Sequence, residues 1–205
     1  MWTKNLPIRL AGLCAIVAAI LALNVPAARA VPIEFNATLN GPSESPPNAS
    51  PGTGFAIVDF DLAANTMRVR VDFTGLTSGT TASHIHCCTA IPFTGTAIVA
   101  TTLPTFPNFP LGVTSGTYDQ TLDMTLASSY NPAFITAAGG SVALAETTLF
   151  NNLFTGTEYL NIHTTEFPAG EIRGFLRPVP EPASLVLFGT ALVGFGVMRR
   201  RRRAS

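Results

Sequence analysis

The chain has 205 residues, of which 12% are charged, with twelve basic and twelve acidic side chains. Eight of the basic residues lie at the two ends, namely Lys4, Arg9, Arg29 and the run Arg199-Arg200-Arg201-Arg202-Arg203. The stretch 31–178 keeps only Arg68, Arg70, Arg173 and Arg177 against eleven acids, with no lysine. A lysine-free region near −7 excludes nucleic acid and anionic lipid surfaces as partners and leaves cations or neutral polymers such as polysaccharide.

The N-terminus reads as a secretory signal peptide over residues 1–30. Lys4 and Arg9 supply a positive start, residues 10–23 an apolar stretch, and Ala28-Arg29-Ala30 a small-residue cleavage site. Cys14 does not make this a lipoprotein signal. Leu13 precedes it instead of Gly or Ala, and much of the apolar run follows it. Cleavage after Ala30 leaves one domain over 31–178, an ordinary size for a chain with its own core.

That domain reads as mainly β. Met67, Val69, Val71 and Phe73 alternate with Arg68, Arg70 and Asp72, the pattern of a half-buried strand. Residues 53–62 form a second strand, and Ala63-Ala64-Asn65-Thr66 suits the turn between the two. Further strands are expected at 33–39, 82–87, 96–100, 115–124, 159–163 and 171–176. About eight short strands predict an antiparallel β-sandwich or barrel. Residues 101–112 carry Pro104, Pro107 and Pro110 beside Phe106 and Phe109, and predict an irregular loop laid on the sheet by its aromatics. Two short inserted helices are expected. One starts at Asn131-Pro132 and stops at Gly139-Gly140; the other spans 141–154.

All three histidines fall in the β domain, in Ser83-His84-Ile85-His86-Cys87-Cys88 and in Tyr159-Leu160-Asn161-Ile162-His163-Thr164. On a strand, His84, His86 and Cys88 share one face. With His163 on a neighbouring strand they make a metal set, His84, His86, His163 and Cys88, suited to copper or zinc among the imidazole-binding ions. The plainer alternative is that these histidines exchange hydrogen bonds with strand neighbours such as Asn161 or Thr164. Cys87 and Cys88 have alternatives of their own in an oxidising compartment: a disulfide with each other, a bond to another chain, or ligation. No nucleophile elbow, phosphate loop or dinucleotide fingerprint is present, and no catalytic residue is assigned. Glu158, Glu166 and Glu171 near His163 could pair as glycosidase carboxylates, but an acidic β surface supplies such pairs by chance.

Beyond the domain, Pro180-Glu181-Pro182 precedes an uncharged run at 185–198 and the five arginines. This order resembles the PEP-CTERM sorting signal over 179–205. The run of 14 residues is short for a transmembrane helix. Snorkelling arginines and flanking Ala183-Ser184 extend it, and the arginines place its end in the cytoplasm. The resemblance implies an exosortase-type membrane protease as partner, a membrane-anchored precursor, and a Gram-negative bacterium that makes exopolysaccharide.

The domain itself resembles the CHRD family. The matching pieces are Phe35-Asn36-Ala37-Thr38-Leu39-Asn40-Gly41 leading to Glu44-Ser45-Pro46-Pro47, then Gly54, His84-Ile85-His86, Tyr159-Leu160-Asn161-Ile162-His163-Thr164 and Pro168-Ala169-Gly170-Glu171-Ile172-Arg173-Gly174. Family members usually carry a glycine-containing turn after His-Ile-His, where this chain has Cys87-Cys88-Thr89. The resemblance implies an immunoglobulin-like or superoxide-dismutase-like sandwich, with no general activity attached. In the last block Gly170 and Gly174 permit a tight turn and close strand approach. Glu171 and Arg173 are expected to clamp that turn, a structural role. These readings predict a non-enzymatic envelope or matrix protein, structural or adhesive, contacting exopolysaccharide or other surface proteins. The alternative is a metalloprotein, with redox chemistry at copper as its strongest form.

Overall fold

The structure, a computed structural model, describes residues 31–180 and Ala191. The expected signal peptide, most of the sorting motif and the expected helix at 185–198 lie outside the described residues. Among the described residues no helix is long and apolar enough to cross a membrane.

The fold is mainly β: eight strands form one antiparallel, curled sheet. In chain order they are β1 (Ile33–Asn40), β2 (Thr53–Asp61), β3 (Thr66–Thr74), β4 (Thr80–His86), β5 (Gly116–Asp123), β6 (Tyr159–Thr164), β7 (Ile172–Phe175) and β8 (Arg177–Pro178). The spatial order is β4-β6-β7-β1-β2-β3-β5, with β8 also on β1. The long pairings β1–β2, β2–β3 and β3–β5 run through whole strands. The β1–β7 junction is a single residue pair, Asn40 with Arg173. That junction joins β4-β6-β7 to β1-β2-β3-β5, and both sets of strands contribute to one core. Gly54 shows how close they come. A Cβ there would sit 3.2 Å from Leu39 Cδ1 and 3.3 Å from Ile172 Cδ1.

Period-two patterning builds the core. Phe35, Ala37 and Leu39 of β1, Ala56, Val58 and Phe60 of β2, and Met67, Val69, Val71 and Phe73 of β3 are all buried. Ile85, Leu160, Ile162 and Ile172 meet them from the other half. Each large aliphatic or aromatic side chain contributes about 1.5–3 kcal/mol by leaving water. The β2–β3 turn forms where expected. Asp61 Oδ1 accepts from the N–H groups of Ala63 and Ala64, and Asn65 takes the left-handed conformation, φ 51°.

Both predicted helices are present: α1 (Pro132–Ala137) and α2 (Val142–Leu153). Asn131 caps α1 by accepting from Ala133 N–H, and Ser141 caps α2 by accepting from Leu144 N–H. Ala145, Leu149 and Leu153, spaced by four, turn one face of α2 into the core. The proline-rich loop is anchored as expected. Phe106 and Phe109 are buried, and Phe109 stacks on Phe73 with ring centroids 5.7 Å apart.

Two expectations fail. Residues 96–100 form no strand. They run beside the open edge of β4 with one isolated bridge, His86 to Val99, and Ala100 N–H donates to Ile85 O. The apolar run is there to cover an edge, which sequence alternation cannot distinguish from a strand. The alternation expected to carry Cys88 onto the histidine face also stops early. β4 ends at His86, and Cys87 and Cys88 belong to the following loop.

Candidate metal centre

His84 and His86 sit two residues apart on β4, and His163 sits on β6. The register pairs His84 with Asn161 and Ala82 with His163. Ser83 and Ile85 turn inward, so His84 and His86 point to the opposite face with His163. The three rings form a triangle with centroids 5.9 Å (His84–His86), 5.3 Å (His84–His163) and 6.1 Å (His86–His163) apart. One nitrogen of each ring lies within 4.8 Å of one from each of the others.

Each ring spends one nitrogen on a backbone carbonyl. His84 Nε2 bonds to Pro104 O at 2.6 Å, His86 Nδ1 to Ala97 O at 2.8 Å and His163 Nδ1 to Pro168 O at 3.0 Å. A carbonyl only accepts, so these nitrogens carry the protons and the tautomers are fixed. The remaining nitrogens, His84 Nδ1, His86 Nε2 and His163 Nε2, are buried and have no hydrogen-bond partner. Backbone carbonyls holding the distal N–H of ligating histidines are the usual outer shell of a metal site. Thr164, one of the partners expected if the histidines were merely structural, gives its hydroxyl to Glu171 instead.

Electrostatics keep the rings neutral. Burial pushes His84 and His86 down to about 4, against the opposing pull of the carbonyls of Pro104 and Ala97. His163 is lowered for the same reason, burial first, with the Pro168 carbonyl opposing. Neutral imidazoles present lone pairs to a cation without proton competition. Tyr159 stacks flat on His86, centroids 4.7 Å apart and planes 8° from parallel, and the Arg173 guanidinium lies 4.7 Å from the Tyr159 centroid. This stack fixes the plane of His86.

The donor set fits a transition-metal ion. Three neutral imidazoles with oriented second shells suit zinc or copper. Tetrahedral zinc with Zn–N of about 2.0–2.1 Å needs nitrogens about 3.3 Å apart, and one nitrogen of each ring already lies within 4.8 Å of the others. Cys88 is not among them. It is disulfide-bonded to Cys87, and the two sulfurs cluster with Glu158.

The block 168–174 after β6 makes structural contacts. Glu171 is fully buried and accepts from Ser50 Oγ (2.6 Å), Thr164 Oγ1 (2.6 Å) and Thr77 N–H (2.7 Å). Burial alone would raise its pKa, and those hydrogen bonds bring it below the ordinary value. Arg173 donates to Ser43 O and Gly95 O and faces Glu44 at 3.7 Å. Burial raises Glu44 to about 7 in spite of that guanidinium. A Cβ on Gly170, φ 131°, would lie 2.6 Å from Glu44 Oε1, and one on Gly174 would collide with Thr38 O. Gly170, Arg173 and Gly174 thus lie close against β1 and the 41–48 segment, with the Arg173 guanidinium opposite Glu44.

With this geometry in view, the family model for the CHRD domain matches residues 35–176. The chain belongs to the CHRD family. A second model, the PEP-CTERM protein-sorting motif, matches residues 178–203. The motif marks an exported, membrane-associated precursor of a Gram-negative bacterium, processed by an exosortase-type membrane enzyme. No curated protein and no solved structure matches the chain.

Sequence reasoning found the three histidines because His-x-His on a strand is a readable spacing. It missed the carbonyls of Ala97, Pro104 and Pro168, which any residue type could provide. It also gave no role to Tyr159 and weighed Glu158 only for glycoside chemistry.

Proposed function

We propose that this CHRD domain is a metal-binding module of the cell envelope, with His84, His86 and His163 as ligands to a zinc or copper ion. The observation that carries the reading is the set of three buried ring nitrogens, each without a partner while the opposite nitrogen is tied to a carbonyl. Buried polar atoms are nearly always satisfied, and three orphaned together on neutral rings fit a shared cation. The bound ion joins β4 to β6 and the loops behind them, so its work is structural and not catalytic. The acidic, lysine-free domain, sorted to the surface or extracellular matrix, serves there as a structural or adhesive element, in contact with exopolysaccharide or other surface proteins.

Native mass spectrometry of the protein, purified from an oxidising compartment without a metal-binding tag, tests the ligand set. One ion per chain is expected, retained on dilution and absent from the His84→Ala/His86→Ala variant. A bare polypeptide after incubation with zinc and with copper overturns the reading.

A further inference from the structure

Glu158 is the least satisfied group among the described residues. It is fully buried, and neither carboxyl oxygen has a hydrogen-bond partner. Burial pushes its pKa well above the ordinary carboxyl range. An unpartnered buried carboxyl costs stability, so its presence needs a state of the molecule in which it is partnered. The groups beside it are the sulfurs of Cys87 and Cys88, with a carboxyl oxygen and both Sγ atoms within 4.8 Å of one another. In the disulfide those sulfurs have no proton to give. Reduced, they become two S–H donors next to an acceptor that otherwise has none.

The disulfide is also reachable. Cys87 is buried, while Cys88 is at least partly open to solvent. Both line a cavity of about 370 Å³ whose other walls include Ile98, Phe134, Ala137 and Ala138.

We propose that Cys87 and Cys88 are a redox-active thiol–disulfide pair, reached through this cavity by a thiol reductant, and that Glu158 is the acceptor built for the dithiol state. The thiolate of a first partner thiol attacks Cys88 Sγ, and the Cys87–Cys88 S–S bond breaks. Cys87 leaves with the bonding pair and takes up the proton that the attacking thiol released. A second partner thiol attacks the partner sulfur of the mixed disulfide, and Cys88 leaves and is protonated in turn. The two cysteines gain two electrons and two protons, and the two partner thiols become a disulfide. The Cys87 and Cys88 S–H groups then donate to Glu158, which stabilises the reduced pair. The exchange itself uses no metal, and its cavity adjoins the histidine centre at Ala97, whose carbonyl holds His86.

The test is a redox titration of the full-length protein in glutathione buffers with EDTA present, read by thiol alkylation and mass. Wild type is expected to pass reversibly between disulfide and dithiol while folded. Glu158→Leu removes the acceptor and should make reduction at least tenfold less favourable, about 30 mV toward lower potential. If Glu158→Leu does not fold, Glu158→Met keeps the length without a carbonyl acceptor and should shift the equilibrium at least threefold in the same direction. Ala138→Leu narrows the cavity and should slow reduction by dithiothreitol at least threefold with the midpoint unchanged. A disulfide that stays closed in the folded protein, or a Glu158 variant that titrates with wild type, overturns the proposal. So does an Ala138→Leu variant reduced as fast as wild type.

Discussion

Glu158 and Glu171 are both fully buried carboxyls, one just before β6 and one just before β7, yet their surroundings are opposite. Glu171 receives three donors, and its pKa is pulled down. Glu158 receives none and is driven up by burial. The contrast separates two uses of a buried polar group. A satisfied carboxylate ties distant segments together, here the 50s, the 70s and β6. An orphaned carboxyl burdens the fold and points to chemistry outside the resting state. The histidine triad, with three orphaned nitrogens, falls on the Glu158 side of that line.

The sharpest way to break the comparison is to remove each carboxylate. Glu171→Ala strands Ser50, Thr77 N–H and Thr164 in a buried site and should cost about 4 kcal/mol in urea unfolding. A loss below about 1 kcal/mol would show that the donors find water and that Glu171 is no clamp. Next comes the ion at the triad. Zinc or copper at about a hundred times its dissociation constant should stabilise wild type by about 2.7 kcal/mol. The His84→Ala/His86→Ala variant should show no such gain in the same thermal scan. Gly174→Ala, which drives a Cβ against the Thr38 carbonyl, should cost about 2 kcal/mol by the same unfolding assay.

A smaller effect, of opposite sign, is expected from Glu158→Gln. A group whose folded pKa is raised contributes stability that is fully present below its unfolded pKa, near 4.5, and is lost as pH rises through the folded value. The variant should therefore match wild type more closely at acid pH and gain on it, by about 1–2 kcal/mol, as pH rises above 4.5. Glu171 has the reverse sign. Its folded pKa is lowered, so its contribution is present above 4.5 and fades as pH falls through the folded value. Parallel pH curves for the two variants would collapse the distinction. The smallest effect concerns metal affinity. With His84 and His86 held at about 4 and His163 lowered by burial, affinity should fall with acid at a lower pH than for free imidazoles near 6.5, by isothermal titration.

The strands, both helices and the grouping of the histidines were legible because each rests on a local rule. Alternation put Met67, Val69, Val71 and Phe73 inside, Asn131 and Ser141 capped their helices, and His-x-His put two imidazoles on one strand face. The stretch 96–100 misled because an apolar segment covering a sheet edge has the composition of a strand without its pairing. Cys88 misled because alternation is defined only while a strand lasts, and β4 ends two residues earlier.

The sequence alone determined the mainly β domain followed by a sorting motif, the family block ending in Gly170-Glu171-Ile172-Arg173-Gly174, and the absence of lysine that sets the domain's charge. Periodicity, turn chemistry and charge are properties of neighbours along the chain and need no partner to be read. Only the tertiary structure decided which nitrogens of His84, His86 and His163 are free, that Cys88 stands apart from them, and that Glu171 is satisfied while Glu158 is not. Those outcomes depend on backbone carbonyls and hydroxyls brought from as far as 121 residues away, as with Ser50 and Glu171. Long-range hydrogen bonding is what turns a buried polar residue into a clamp or leaves it waiting for a ligand.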